Sequence, residues 1–280
     1  MGHAGKKASI EKLYALSLSA YLLRQNLRFS KLLARIPSES VEHSLLQFRS
    51  SFFKWKPQLS SKFLQKIHFQ LSFQKRSDKH QMRLLADYHF LKARFHYLNQ
   101  QSSRKDFLQA ENFYQLCQDH ESALSAAISS LLELRESGRK EDHDASLARI
   151  KRTYGELHLD STKLLDLHLY EIQYHFENRS FDKIVALDSL TRFRKGEARA
   201  SVLNMLYICA AHIEESRLEE AQCILDTLKT SSILDEDLIE TIRFLMHLQK
   251  AKVHQKPIQR SWIKNLLAEP FQEYSEQFAS

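Results

Sequence analysis

The sequence predicts an all-α fold of stacked antiparallel helix pairs, and three observations lead there. The 280 residues hold five glycines and four prolines, where average usage of about 7% and 5% would supply several times as many. Those residues punctuate tight turns and bulges, so β-hairpins have few places to form. No proline lies between Pro57 and Pro257, so over that stretch no helix is forced to break. Apolar residues recur at three- and four-residue spacing in segment after segment, the period of helices with one buried stripe.

A first helix is expected over 9–36, carrying Leu13, Leu27, Leu32 and Ile36 and ending at Pro37. Lys6-Lys7 ahead of the apolar run from Leu13 to Leu23 has the outline of a signal peptide. Glu11 and Lys12 adjoin that run, and no small-residue cleavage site follows it, so it reads as an amphipathic helix. Lys6 stands where a myristoylation motif needs Ser or Thr. Ser38 starts the next helix, with Glu39 and Glu42 suited to its first turn and Leu45, Leu46 and Phe48 on its apolar face. Pro57 interrupts, and 58–75 resumes with Leu59, Phe63, Leu64, Ile67 and Leu71. Asp78 caps a helix holding Leu84, Leu85, Tyr88, Leu91, Phe95 and Leu98.

After the polar loop 100–103 the rhythm becomes regular. Helices are expected at 104–118, 121–136, 141–158, 161–177, 180–193, 197–215, 217–230 and 235–254. Ser137-Gly138 ends one of them, and Asp160 and Asp235 are N-cap candidates. Past Pro257 a short helix carries Trp262, Leu266 and Leu267, and Pro270 introduces a polar tail. In the second helix of each pair a small or aliphatic residue stands where helices would approach closely: Ala110, Ala148, Ile184 and Ala221, at gaps of 38, 36 and 37. A single pair cannot bury its apolar face alone, so such pairs must stack.

The stretch from Ser216 reads SRLEEAQCILDTLK, with Leu218, Ala221 and Leu225 at characteristic places. It resembles the second helix of a tetratricopeptide repeat, and is also similar to a pentatricopeptide repeat. Phe181-Asp182-Lys183-Ile184 and Phe107-Leu108-Gln109-Ala110 are weaker copies. The chain departs from the pattern in lacking the proline that closes each repeat and a dependable small residue in the first helix. The resemblance spans about residues 85–255. It implies a curved, tetratricopeptide-like α-solenoid whose concave face binds a peptide or another protein. The organisation expected is a basic helical region at 1–80, helical repeats at 81–256, and a capping helix and tail at 257–280.

Charge is unevenly spread. Residues 1–100 hold 18 basic against 5 acidic residues, a net of +13, and residues 101–280 hold 23 against 29, a net of −6. Between Arg49 and Arg83 nine cations interleave with six aromatics, and Asp78 is the one acid. Cations neutralise phosphates and aromatic faces stack bases, although the same pattern describes helices with an apolar core face and a wet face. The candidate basic surface is Lys54, Lys56, Lys62, Lys66, Lys75 and Arg76. His96, His175 and His212 fall at similar places in their helices. That placement points to a repeated helix contact or to a groove lined by Tyr174, His175, Tyr207 and His212.

Neither a metal nor a cofactor is expected. Zinc needs three or four converging ligands. The paired histidines His89/His96 and His168/His175 are two helical turns apart, and Cys117, Cys209 and Cys223 are scattered. Isolated thiols fit a reducing, cytoplasmic compartment. No apolar run reaches transmembrane length. With no GxSxG, P-loop or GxGxxG motif, no catalytic residue is assigned. The expectation is a non-enzymatic scaffold or adaptor whose partner is a protein or peptide, including a second copy of the chain. A nucleic-acid-associated repeat protein using the basic third is the alternative, and a peptide- or ligand-sensing domain ranks after it.

Overall fold

The computed structural model describes residues 2–53, 57–72, 78–155, 157, 161–188, 199–229, 235–257, 267–268 and 271–278. Among them every regular element is a helix. The chain divides into two compact units, Met1–Leu159 and Asp160–Ser280, a line that differs from those drawn at residues 80 and 256 from charge and rhythm. None of the described helices is long and apolar enough to cross a membrane.

The first unit comprises α1 (Gly2–Leu22), α2 (Asn26–Leu33), α3 (Val41–Phe53), α4 (Pro57–Ser72), α5 (Lys79–Leu98), α6 (Arg104–Leu116), α7 (His120–Glu136) and α8 (Lys140–Tyr154). The pairs α1–α2, α3–α4, α5–α6 and α7–α8 pack internally, and α3 also packs on both α1 and α5. Tyr14, Leu18, Leu45, Phe48, Leu84 and Tyr88 meet in its core. The single helix expected over 9–36 is two helices. Arg24 takes the left-handed conformation (φ 54°), and the chain doubles back so that Phe29 lies 5.6 Å from Tyr21, ring to ring. The apolar period runs through the break because both helices bury their stripes in one core. Pro57 is the first residue of α4, where its missing N–H costs nothing. The Asp78 carboxylate caps α5, accepting from the Gln81 N–H at 2.8 Å.

The second unit comprises α9 (Ser161–Glu177), α10 (Phe181–Asp188), α11 (Arg199–Glu214), α12 (Leu218–Lys229), α13 (Glu236–Val253) and α14 (Phe271–Glu276). Here α11 packs on α9, α10, α12 and α13. Asp160 lies outside the described residues, and the Asp235 side chain forms no capping hydrogen bond at the start of α13. Trp262 and Leu266 also lie outside them. The polar tail expected after Pro270 is instead a buried helical turn. Phe271 and Tyr274 of α14 pack on Phe176 of α9 at ring separations of 5.0 Å, and Tyr274 lies 6.1 Å from Phe244 of α13. Aromatic residues three apart share a helix face, which a reading by overall polarity overlooks.

The close-approach positions need one correction. Ala110, Ile184 and Ala221 are fully buried, but Ala148 is exposed and its neighbour Leu147 faces the core. With Leu147 the series 110, 147, 184, 221 has equal gaps of 37 residues. The helix ends repeat as well. Gln100, Gly138, Arg179, Ser216 and Gln255 all have positive φ, between 51° and 67°. Each is spanned by a backbone bond from the next residue's N–H to a carbonyl five residues back: His96, Leu134, His175, His212 and Ala251. This is the Schellman C-cap. It explains how a glycine-poor chain turns so often: Gln, Arg and Ser occupy a conformation that usually falls to glycine. It also accounts for the matching places of His96, His175 and His212, which sit in the last turn of their helices.

Candidate functional site

Asp87, near the middle of α5, organises the first unit. It is 1% exposed. A buried carboxylate must be paired and hydrogen-bonded; three neighbours hydrogen-bond it and a fourth pairs with it by charge. Tyr14 of α1 donates to Oδ2 at 2.7 Å and Tyr114 of α6 donates to Oδ1 at 2.6 Å. Arg49 of α3 donates to Oδ1 at 3.2 Å, and Arg83 Nε lies 3.5 Å from Oδ2 while its Nη1 pairs with Asp119. Burial, and then the adjacent Asp87 charge, push both tyrosine hydroxyls well above their ordinary range. One carboxylate thus ties α1, α3, α5 and α6 together.

Further bridges link residues 38 or 39 apart in sequence. Glu42 meets His80 Nε2 at 2.9 Å. Arg149 grips Glu111 with two parallel bonds of 2.7 and 2.9 Å. Gln115 donates to the Tyr154 hydroxyl at 2.8 Å, and in the second unit Lys252 donates to Glu214 at 2.8 Å. Helices that stand one pair apart are being stitched by the same device.

Above the Asp87 network a cavity of about 520 Å³ opens between α1 and the start of α5. Tyr14, Ala15, Leu18, Leu22 and Leu23 form its apolar side, and Lys79, His80 and Arg83 face them, with Glu11 and Cys117 at the ends. Leu22 and Leu23 are 64% and 63% exposed at its mouth, and Leu27, just beyond in α2, is 73% exposed. Burial pushes the Cys117 thiol up from its ordinary value.

Of the basic surface read from the sequence, Lys62 and Lys66 fall within the described residues. Lys54, Lys56, Lys75 and Arg76 lie outside the described residues. Lys62 and Lys66 are exposed on α4, and Lys66 donates to the Ser38 carbonyl at 3.1 Å. Arg49 and Arg83, the ends of the basic-aromatic stretch, are engaged by Asp87. Of the groove residues, Tyr174 and His175 lie near the end of α9, Tyr207 in the middle of α11 and His212 near its end, and three of the four are buried. Tyr207 is 2% exposed, its ring stacked 5.1 Å from Phe271. Tyr174 and His212 are buried too, and His175 is half-buried with Glu171 at 3.9 Å. Phe271 of α14 covers Tyr207, which is a core residue.

Among the described residues no three His, Cys, Asp or Glu side chains converge as metal ligands. His89 and Lys92 are instead both bound to Asp106 at 3.0 Å. The leucine-edged cavity is invisible when 9–36 is taken as one helix with one buried stripe. The signal for it in the sequence is Leu22-Leu23 followed by Arg24-Gln25-Asn26, a polar break in the apolar run. No protein-family model, curated protein or solved structure matches this chain.

Proposed function

We propose that this chain is a non-enzymatic helical-repeat scaffold that binds a partner protein through the leucine-edged cavity of its first unit. The observation that carries the reading is that cavity: a concave apolar surface whose flanking leucines are left in water, built on stacked helix pairs. The repeat character is supported by the 37-residue register of Ala110, Leu147, Ile184 and Ala221 and by the recurring Schellman helix ends. The period falls within the range of about 20–45 residues of stacked repeats in general, and the resemblance at Ser216 makes a tetratricopeptide-like solenoid the arrangement proposed. A reducing, cytoplasmic setting fits the unpaired thiols of Cys117, Cys209 and Cys223.

The test is affinity purification of the tagged chain from its own cells, with and without nuclease, beside a Leu22→Glu/Leu23→Glu variant. Both positions are exposed, so the variant retains its fold. A nuclease-resistant protein recovered at near-stoichiometric yield with the parent chain and lost with the variant supports the reading. Partners that vanish on nuclease treatment, or that bind the variant equally well, refute it.

A further inference from the structure

A second concavity, about 480 Å³, runs along the outer face of α6 in the first unit and meets the start of α8. Its lining includes three cations, Arg104, Lys105 and Arg139. One carboxylate, Glu133, stands among the lining residues, and its oxygens are already taken. Glu133 accepts from Ser102 Oγ at 3.0 Å, Ser103 N at 2.7 Å, Ser103 Oγ at 2.9 Å and Arg104 N at 2.6 Å. It serves as a cap supplied to α6 by α7, cancelling the positive end of the α6 dipole and leaving the side-chain cations uncompensated. Among the described residues Arg139 has a carboxylate, Asp142, at 3.9 Å, while Arg104 and Lys105 have none. The Arg104 Nε–H is buried with no protein acceptor. The sequence carries a trace of this edge: Ser102-Ser103-Arg104-Lys105-Asp106 is echoed by Ser137-Gly138-Arg139-Lys140-Glu141 at the next turn of the stack.

We infer that this pocket binds an acidic peptide segment, with carboxylates held by Arg104, Lys105 and Arg139 and the peptide laid along α6. The choice of a peptide over a free anion rests on what continues from the cations. The amides of Gln109 and Asn112 line the same concavity and offer a donor and an acceptor each to a peptide main chain. Leu108, 37% exposed, adds an apolar contact. A bare phosphate would use the cations and the amide donors but leave the amide oxygens and Leu108 without a role. Guanidinium groups suit carboxylates because their donors form a planar fork. This assignment rests on the scaffold reading for the existence of a protein partner, but it names a different surface of the unit.

The test uses the purified full chain and fluorescence anisotropy with a fluorescein-labelled hexaglutamate peptide, with labelled hexalysine as the control for sign. Lys105→Glu/Arg139→Glu is the site variant, at two exposed positions. Lys62→Glu, on the exposed face of α4, controls for overall charge. The expected result is saturable hexaglutamate binding that weakens by about tenfold or more in the site variant and less than about twofold in Lys62→Glu, since a distant exposed charge is screened. Asn112→Ala should also weaken it, which a purely ionic site would not require. Equal losses in the site and control variants, or no saturable binding, overturn the assignment. So does binding of pyrophosphate or oligouridine in place of hexaglutamate. Because no cellular partner enters this assay, its failure leaves the purification result standing, and the two readings fail separately.

Discussion

Replacing Asp87 by Asn keeps the shape of the side chain and removes its charge. Two tyrosine hydroxyls and two guanidinium groups converge on that carboxylate, and all of them are donors. An asparagine oxygen can accept from one hydroxyl and its NH₂ group can donate to the other hydroxyl oxygen, but that NH₂ confronts the guanidinium groups donor against donor. Arg83 retains Asp119, so the cost centres on Arg49, whose side chain is 14% exposed. Removing one partner of a buried ion pair costs about 3–5 kcal/mol, because the remaining charge stays buried and uncompensated. In a folding unit of this size each kcal/mol lowers the melting temperature by about 2–4 °C, so a fall on the order of 10 °C is expected. Thermal unfolding followed by circular dichroism measures it, with urea titration as an independent check. Tyr114→Phe, which deletes one hydroxyl and leaves the ion pair, should cost about 1–2 kcal/mol. A melting temperature for Asp87→Asn within about 2 °C of the parent would refute the claim that this carboxylate holds α1, α3, α5 and α6 together.

Glu133→Ala removes the acceptor for the Ser103 and Arg104 amides and should destabilise by about 1–2 kcal/mol, the usual cost of a lost N-cap, with faster hydrogen exchange at those two amides; unchanged exchange would count against the capping role. Gly138 has φ +67° and open space around a would-be Cβ, so Gly138→Ala should cost about 1 kcal/mol through backbone strain alone, whereas Gln100→Gly relieves the same strain at φ 55° and should raise the urea midpoint. Stability should also decline at alkaline pH. Burial raises Tyr88 to about 12 and also pushes Tyr14 and Tyr114 well above their ordinary value, against about 10 in the unfolded chain. Folded-state values above the unfolded ones mean that this stabilisation is intact below about pH 10 and is lost as pH rises toward the folded values. Urea midpoints measured from pH 8 to 12 check this, and a flat profile would contradict it.

Helix content was legible in the sequence because it is local: a scarcity of glycine and proline and a helical apolar period act within a few residues of chain. The Asp78 cap and the approximate 37-residue rhythm were legible for the same reason. The register itself was not, since Ala148 and Leu147 are neighbours on a helix and only packing decides which faces inward. The break at Arg24 was only faintly legible, as the polar Arg24-Gln25-Asn26 in an apolar run, because no glycine marks the left-handed conformation there. Asp87 is a lone acid in a basic stretch until α1, α3 and α6 bring Tyr14, Arg49 and Tyr114 to it. The face near Tyr207 that was expected to be a groove is filled by Phe271, from a segment more than sixty residues onward that reads as polar. Local propensity set which residues are helical. Which helix faces are buried, which cations are held by internal partners, and which leucines remain in water depend on contacts between residues far apart in the chain, and those exist only once the helices have packed.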